Sequence, residues 1–371
     1  MRKRLLGLAS ACLLLAGCTS GPTQRPVANP SPSPSPARSP LAISPSSPTA
    51  SSSSGSAGVG LLYLRETSLD VVWALSDDRV VRSSDAGRTW LDRSPALPTG
   101  SDWSMFALGD QDAWVAASDR MARTVNGGAT WDLGPTPGGT VAPYFADALH
   151  GWILVGLGAA AGSEVAAVYR TIDGGASWTS VADTGDPSTG RPNTSGLSFS
   201  CHKGPMAFLS TSVGLIGLNC NGGTPFVYRS SDGGAHWQER PLPGGGSGFA
   251  EETLVPIDAG HCLLSGRLFS ATGPSLFATQ DGGASWTSHP LPRTGSIDFE
   301  SSTSGWLLAN PLQETADGGS TWYPGPDPPF AASDFTLQLL GKGVALAYNQ
   351  EHAYRTVDGG MRWSEMTPTQ E

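Results

Sequence analysis

The sequence predicts an all-β fold, a closed propeller of seven four-stranded antiparallel blades, on three observations. An eight-residue phrase recurs seven times, starting at Ser83, Thr124, Thr171, Ser230, Thr279, Thr315 and Thr356. Its third position is Asp85, Asn126, Asp173, Asp232, Asp281, Asp317 and Asp358; its fifth is always Gly and its eighth always Trp. The phrases are spaced by about 45 residues, the length of a four-stranded blade. A second bulky position lies upstream of each phrase, at Trp73, Trp114, Trp152, Leu215, Cys262, Trp306 and Val344. Only Trp103, of twelve tryptophans, falls outside the two repeat positions.

The phrase reads as a hairpin turn. Asp or Asn accepts hydrogen bonds from backbone N–H groups just ahead of it. The Gly supplies a left-handed backbone position, and the Trp buries a large ring at the start of the next strand. Asn126 keeps the acceptor without the charge, so the position is structural rather than catalytic.

In chain order, Met1-Arg2-Lys3-Arg4 and the apolar run Leu5–Ala16 form a charged and then a hydrophobic region, too short to span a membrane as a mature helix. Leu15-Ala16-Gly17-Cys18 resembles a bacterial lipoprotein cleavage box. That resemblance implies a signal peptide at 1–17, lipidation of Cys18 and an extracytoplasmic membrane anchor. An ordinary secretion signal is the alternative. Residues 18–58 are Pro, Ser, Thr, Ala and Gly almost throughout, a composition that does not pack. At about 3.1 Å per residue this stalk reaches roughly 120 Å.

The propeller is expected over 59–371. Blade 2 is placed at about 102–109, 112–118, 121–126 and 129–134. Blade 1 begins with its own strand A and blade 7 ends with its own strand D, so closure by side-chain packing is expected, with no exchanged strand. Arg82, Arg123, Arg170, Arg229 and Arg355 precede the phrase in five copies. They read as structural, because Ala278 and Glu314 replace them elsewhere. Excess length falls in blades 3 to 5, in the B–C loops (156–165, 220–225, 266–275) and in the connection 184–204. In this strand order B–C and D–A loops share one rim and the repeated turns lie on the other. The elaborated loops therefore gather on one face, presented by a rigid scaffold.

The repeated phrase is similar to the Asp-box, or bacterial neuraminidase repeat. The chain resembles Asp-box β-propellers, which include sialidases, sortilin-type receptors, xyloglucan hydrolases and photosystem II assembly-factor propellers. His150-Gly151-Trp152-Ile153-Leu154-Val155-Gly156 and Tyr169-Arg170-Thr171-Ile172-Asp173-Gly174-Gly175 look most like the last group. The resemblance speaks to fold, because the shared residues are those the fold itself uses.

Net charge is −10, and about −13 once Arg2, Lys3 and Arg4 leave, which argues against nucleic acid. No metal-ligand spacing and no cofactor motif appears. Sialidase chemistry needs three arginines, a Tyr–Glu pair and an acid/base Asp; no Arg-Ile-Pro occurs in blade 1. A glycosidase needs two facing carboxylates. Asp102, Glu251, Glu252 and Asp334 could face the channel, but adjacent strand residues such as Glu251 and Glu252 point to opposite faces. His202 and His352 lack a nucleophile partner. The reading is a non-catalytic, monomeric, surface-anchored binding scaffold for a protein or glycan ligand, assisting assembly or stability of a membrane complex. The alternatives are a sialidase-like or other exo-acting glycoside hydrolase, and a carbohydrate-binding propeller. Ligand contacts are expected on the rim of blades 3 to 5, with Trp103, Tyr144, His202, Lys203, Glu252 and Arg267 as candidates. Cys201 and Cys220, flanking the A–B hairpin of blade 4, are expected to form a disulfide. Cys262 is expected to be buried and reduced.

Overall fold

The computed structural model describes residues 60–368, apart from 78, 100–101, 118, 139–141, 161–162, 187, 247 and 270 and the side chains of Ala160 and Glu252. Cys18, the signal region and the stalk lie outside the described residues. Blade 1 is β1 Leu61–Glu66, β2 Val72–Ser76, β3 Arg79–Ser83 and β4 Leu91–Asp92; blade 2 is β5 Trp103–Ala107, β6 Ala113–Ala117, β7 Arg120–Thr124 and β8 Asp132–Pro135. Blade 3 is β9 Tyr144–Phe145, β10 Gly151–Ala160, β11 Ser163–Thr171 and β12 Thr179–Asp183; blade 4 is β13 His202–Phe208, β14 Gly214–Asn219, β15 Phe226–Ser230 and β16 Gln238–Pro241. Blade 5 is β17 Phe249–Pro256, β18 Cys262–Leu268, β19 Ser275–Thr279 and β20 Thr287–Pro290. Blade 6 is β21 Ser296–Phe299, β22 Gly305–Leu308, β23 Gln313–Thr315 and β24 Tyr323–Pro324; blade 7 is β25 Thr336–Gly341, β26 Val344–Tyr348, β27 Ala353–Thr356 and β28 Ser364–Glu365. Every sheet contains four consecutive strands, so no strand is exchanged at closure.

The repeated turn joins strands C and D in every blade. Its first residue is the hub. Thr171 Oγ1 accepts from the N–H groups of Asp173 (3.3 Å) and Gly175 (2.9 Å) and donates to Asp173 Oδ1 (2.7 Å). Asp173 Oδ1 in turn accepts from Ser177 N–H at 2.9 Å. The hydroxyl is buried and fully engaged, which explains why only Ser or Thr stands there. Asn126 Oδ1 accepts from Thr130 N–H at 3.0 Å, so the acceptor suffices without a charge. Gly175 takes φ +93°, where a side chain would be strained.

Blades grip one another through a stacked pair. Trp114 of β6 stacks on Phe145 of β9 at 3.7 Å between centroids, and Trp152 of β10 stacks on Phe208 of β13 at 3.6 Å. Each Phe lies over a glycine of its own blade: a Cβ on Gly151 or Gly214 would come within 2.4 or 2.6 Å of the ring. The indoles then donate to the next blade's turn, Trp114 Nε1 to Gly174 O (2.8 Å) and Trp152 Nε1 to Gly233 O (2.9 Å). The repeated arginines reach the same way. Arg229 Nε donates to Gly282 O at 2.7 Å, and Arg82 Nε to Asp110 O at 3.2 Å.

Register corrects two assignments. Each phrase's first residue pairs with the strand B residue just before the bulky position, and the bulky residue pairs with the one before the phrase: Trp73 pairs with Arg82, Trp114 with Arg123, Trp152 with Arg170 and Leu215 with Arg229. In blade 5 Cys262 pairs with Thr279 and Leu263 with Ala278, so Leu263, not Cys262, is the equivalent of the tryptophan. In blade 7 it is Leu346, not Val344. Cys262 is nevertheless a free, buried thiol, and burial pushes its pKa up.

Blades 1 and 7 close through more than packing. Arg355 grips Glu66 with Nη2 to Oε1 at 2.7 Å and Nε to Oε2 at 3.1 Å. The Gln338 side-chain amide pairs with the Glu66 backbone like a short strand, accepting from Glu66 N–H and donating to Glu66 O, both at 2.9 Å. Leu61 N–H donates to Gln350 O at 3.0 Å.

Candidate binding rim

Alternating strand direction puts A–B and C–D turns on one rim and B–C and D–A connections on the other. On the latter, blades 3 to 5 are stitched together by main chain. The B–C insertion of blade 3 is not a loop: β10 and β11 lengthen into a projecting hairpin of ten and nine residues. Its Glu164 N–H donates to Phe199 O at 2.8 Å, and Ser163 bridges to Cys201. Cys201 and Cys220 form a disulfide with Cα atoms 4.7 Å apart. The pairing of His202 with Asn219 brings these two ends together. Cys220 and Phe249 exchange backbone hydrogen bonds of 2.8 and 2.9 Å, tying blade 4 to blade 5. Gly248 N–H donates to Gly223 O at 3.0 Å.

The stitched rim holds a groove of about 520 Å³, lined by Ser200, Cys201, Gly222, Gly223, Thr224, Phe226, Glu239 and Pro241. Leu157 on the hairpin (53 % exposed), Phe199 on the connection (42 %) and Phe269 after β18 (50 %) stand in solvent on the same rim, outside the lining of the groove. These three were missed from sequence. The one signal was local: Phe199 is a lone aromatic between serines beside a cysteine.

The sequence candidates fare differently. Trp103 is a correction: it is 5 % exposed, lies in the core of blades 1 and 2, and its indole donates to Pro98 O at 3.0 Å. Tyr144 is half-buried, with its hydroxyl donating to Phe208 O at 3.1 Å; burial pushes its pKa up to about 12. Lys203 is half-buried and holds the connection, donating from Nζ to the carbonyls of Ser200 (3.1 Å), Cys201 (3.1 Å) and Glu164 (3.2 Å). Burial lowers it to about 8 against the pull of Glu164. His202 is half-buried on β13, beside the disulfide, and Arg267 is exposed on β18. The backbone of Glu252 is a bulge residue between Glu251 and Thr253, so the expected alternation of Glu251 and Glu252 is broken there.

Asp102 and Asp334 are exposed, the latter in a short 3-10 turn before β25. Glu251 turns into the seam between blades 4 and 5. Its carboxyl fills space left by two glycines: a Cβ on Gly217 would stand 1.6 Å from Oε2, and one on Gly204 2.3 Å. Neither oxygen has a hydrogen-bond partner, and burial pushes the pKa well up. Asp298 on β21 accepts from Leu339 N–H (2.7 Å) and Phe299 N–H (2.9 Å), and burial raises it to about 6. Among the described residues no group of three or more His, Cys, Asp or Glu could hold a metal ion, and no helix is long and apolar enough to cross a membrane.

No protein-family model and no curated protein matches the chain. Solved structures do. YCF48 bound to D1 peptide has a TM-score of 0.56 at 16 % identity, covering 79 % of this chain and 91 % of that one. YCF48 from Cyanidioschyzon merolae gives 0.55 at 17 %, covering 79 % and 93 %. The GH74 xyloglucanase from Xanthomonas campestris gives 0.55 at 15 %, covering 84 % of this chain and 54 % of that one. At these identities the likeness is one of fold.

Proposed function

We propose that this chain is an exported lipoprotein, anchored through Cys18, whose propeller is a non-catalytic scaffold binding a protein partner on the rim of blades 3 to 5. The observation that carries the reading is the stitched rim. Three blades are joined there by main chain and a disulfide, and the rim they hold rigid presents the exposed side chains of Leu157, Phe199 and Phe269 and, apart from them, a groove. Exposed apolar side chains on a fixed frame suit protein recognition. The disulfide fits an oxidising compartment. A fold neighbour with a bound D1 peptide supports a protein ligand and, with the sequence resemblance, assistance to a membrane complex. The repeated turns act here as Asp-box turns, structural and remote from the rim. The test is capture from native membranes with wild type beside Phe199→Ser/Phe269→Ser: the same protein should be retained by wild type and lost by the double variant.

A second reading, a glycoside hydrolase, has one specific support besides the GH74 neighbour: Asp298, raised to about 6 on an inner strand, would remain partly protonated as a general acid. A panel of fluorogenic glycosides separates the two. Turnover that is lost in Asp298→Asn would favour the enzyme.

A further inference from the structure

The groove of blade 4 is walled on one side by the outer half of the blade itself. Tyr228 pairs with Glu239 and Phe226 with Pro241, so all four side chains stand on one face of β15 and β16. Tyr228 is sealed beneath that face. It is fully buried, its oxygen accepts from Ser198 N–H at 3.0 Å, and its ring meets Phe226 edge-on with centroids 5.2 Å apart. The half-buried Phe226, Pro241 and Glu239 are left to line the groove.

A second wall is Ser200 and Cys201, fixed by the disulfide and by Lys203 Nζ, which donates to both carbonyls at 3.1 Å. Gly222 and Gly223 continue the lining, and a Cβ on either would meet no atom within 4 Å, so this part of the groove opens to solvent. Glu239 is exposed, and among the described residues no hydrogen bond and no ion pair engages its carboxylate. The adjacent Arg240 lies on the other face of β16, where its Nη2 donates to Gln238 Oε1 at 2.6 Å. Lys203 is held by carbonyls. The groove therefore combines an aromatic ring, a proline and one carboxylate that no cation of the fold answers.

We propose that this groove receives a basic side chain, arginine or lysine, carried by the protein partner of the rim; the source of that side chain, though not the site, rests on the function proposed above. The aliphatic stem packs beside Phe226 and Pro241 while the cationic head reaches Glu239. A volume of about 520 Å³ falls within the range of roughly 300–1,000 Å³ of pockets that enclose small ligands, so it takes the stem together with the head. A chain of net charge −10 draws such a group and repels an acidic one. An apolar side chain would gain the packing and leave Glu239 unanswered.

The test is saturation-transfer NMR on the full chain with three blocked amino acids: Nα-acetylarginine amide, Nα-acetyllysine amide and the apolar Nα-acetylnorleucine amide. The side-chain methylenes of the cationic probes should take up saturation with a saturable dose response, and norleucine should bind about tenfold more weakly. Glu239→Gln should raise the Kd of the cationic probes by about tenfold and leave norleucine as it was. High salt should weaken the cationic probes alone. The position is exposed, so the variant should fold, and urea unfolding checks that it does. Phe199→Ser/Phe269→Ser should leave probe binding unchanged, which separates the two claims: a partner retained by that double variant would remove the rim reading, while the probes still decide the groove. Glu239→Lys should reduce retention of the same partner that the double variant loses. Norleucine binding as tightly as arginine and lysine, cationic binding unaltered in Glu239→Gln, or full retention of the partner by Glu239→Lys would overturn the proposal.

Discussion

Glu251→Gln should remove a pH dependence from the stability of the fold. In the folded chain the Glu251 carboxyl is pressed against Gly204 and Gly217 without a hydrogen-bond partner, and burial holds its pKa well above 4.5. The unfolded chain ionises near that ordinary value. The group therefore contributes most to stability below pH 4.5, and the contribution falls as pH rises, until the folded carboxyl also ionises. Within that window the loss is about 1.4 kcal/mol per pH unit. Glutamine has the same shape, buries a comparable polar group and does not titrate. Urea unfolding of both proteins at pH 4.5, 6 and 7.5 isolates the difference, because every other titrating group is shared. The variant's stability relative to wild type should rise above pH 4.5 and level off once the folded wild-type carboxyl ionises, whatever its offset at pH 4.5. A constant difference across the three pH values would show that Glu251 ionises normally and is not sealed in the seam.

Three further outcomes are expected. Asp173→Ala should lower stability by about 1–3 kcal/mol, through loss of the acceptor for Ser177 N–H and the Thr171 hydroxyl, while rim binding persists; unchanged stability with lost binding would contradict the structural role. Arg355→Met leaves Glu66 buried without its partner and should cost about 3–5 kcal/mol in urea unfolding; a cost near zero would mean that the Arg355–Glu66 pair adds nothing to closure. Cys201→Ser/Cys220→Ser should lose roughly 3 kcal/mol by removing the cross-link. Thiol counting on denatured, unreduced mature protein, without residues 1–17 and lacking Cys18, should find Cys262 alone, and three free thiols would contradict the bridge.

The blades were legible because their turns are self-contained. The hydroxyl hub, the acceptor, the left-handed Gly and the Trp all lie within eight residues, so local chemistry writes them into the sequence. Register within a blade was harder. Val344 and Cys262 look like the bulky position, but pairing across β26–β27 and β18–β19 decides it, and a bulge at Leu339–Gly341 shifts blade 7. The stacking of Trp on Phe was readable in principle: Phe145 and Phe208 each stand six residues before a glycine. Trp103 misled because a tryptophan outside the repeat looks free, whereas the core of blades 1 and 2 had room for it. The rim was only partly legible. Loop excess located it, and neighbouring strand ends placed Cys201 beside Cys220. Which side chains stand exposed depends on pairing between the hairpin, the connection and β17, which no single segment encodes. The partnerless Glu251 depends on two glycines from another blade, a contact invisible along the chain.

The central claim is that the partner meets the rim of blades 3 to 5 and not the face of the repeated turns. Photocrosslinking in cells tests it directly, with a benzoylphenylalanine placed in turn at Phe199, at Phe269 and at Met361, which is 76 % exposed in the turn of blade 7. The account predicts one crosslinked protein shared by the Phe199 and Phe269 positions and absent at Met361. A crosslink at Met361 with none at the two rim positions would contradict it.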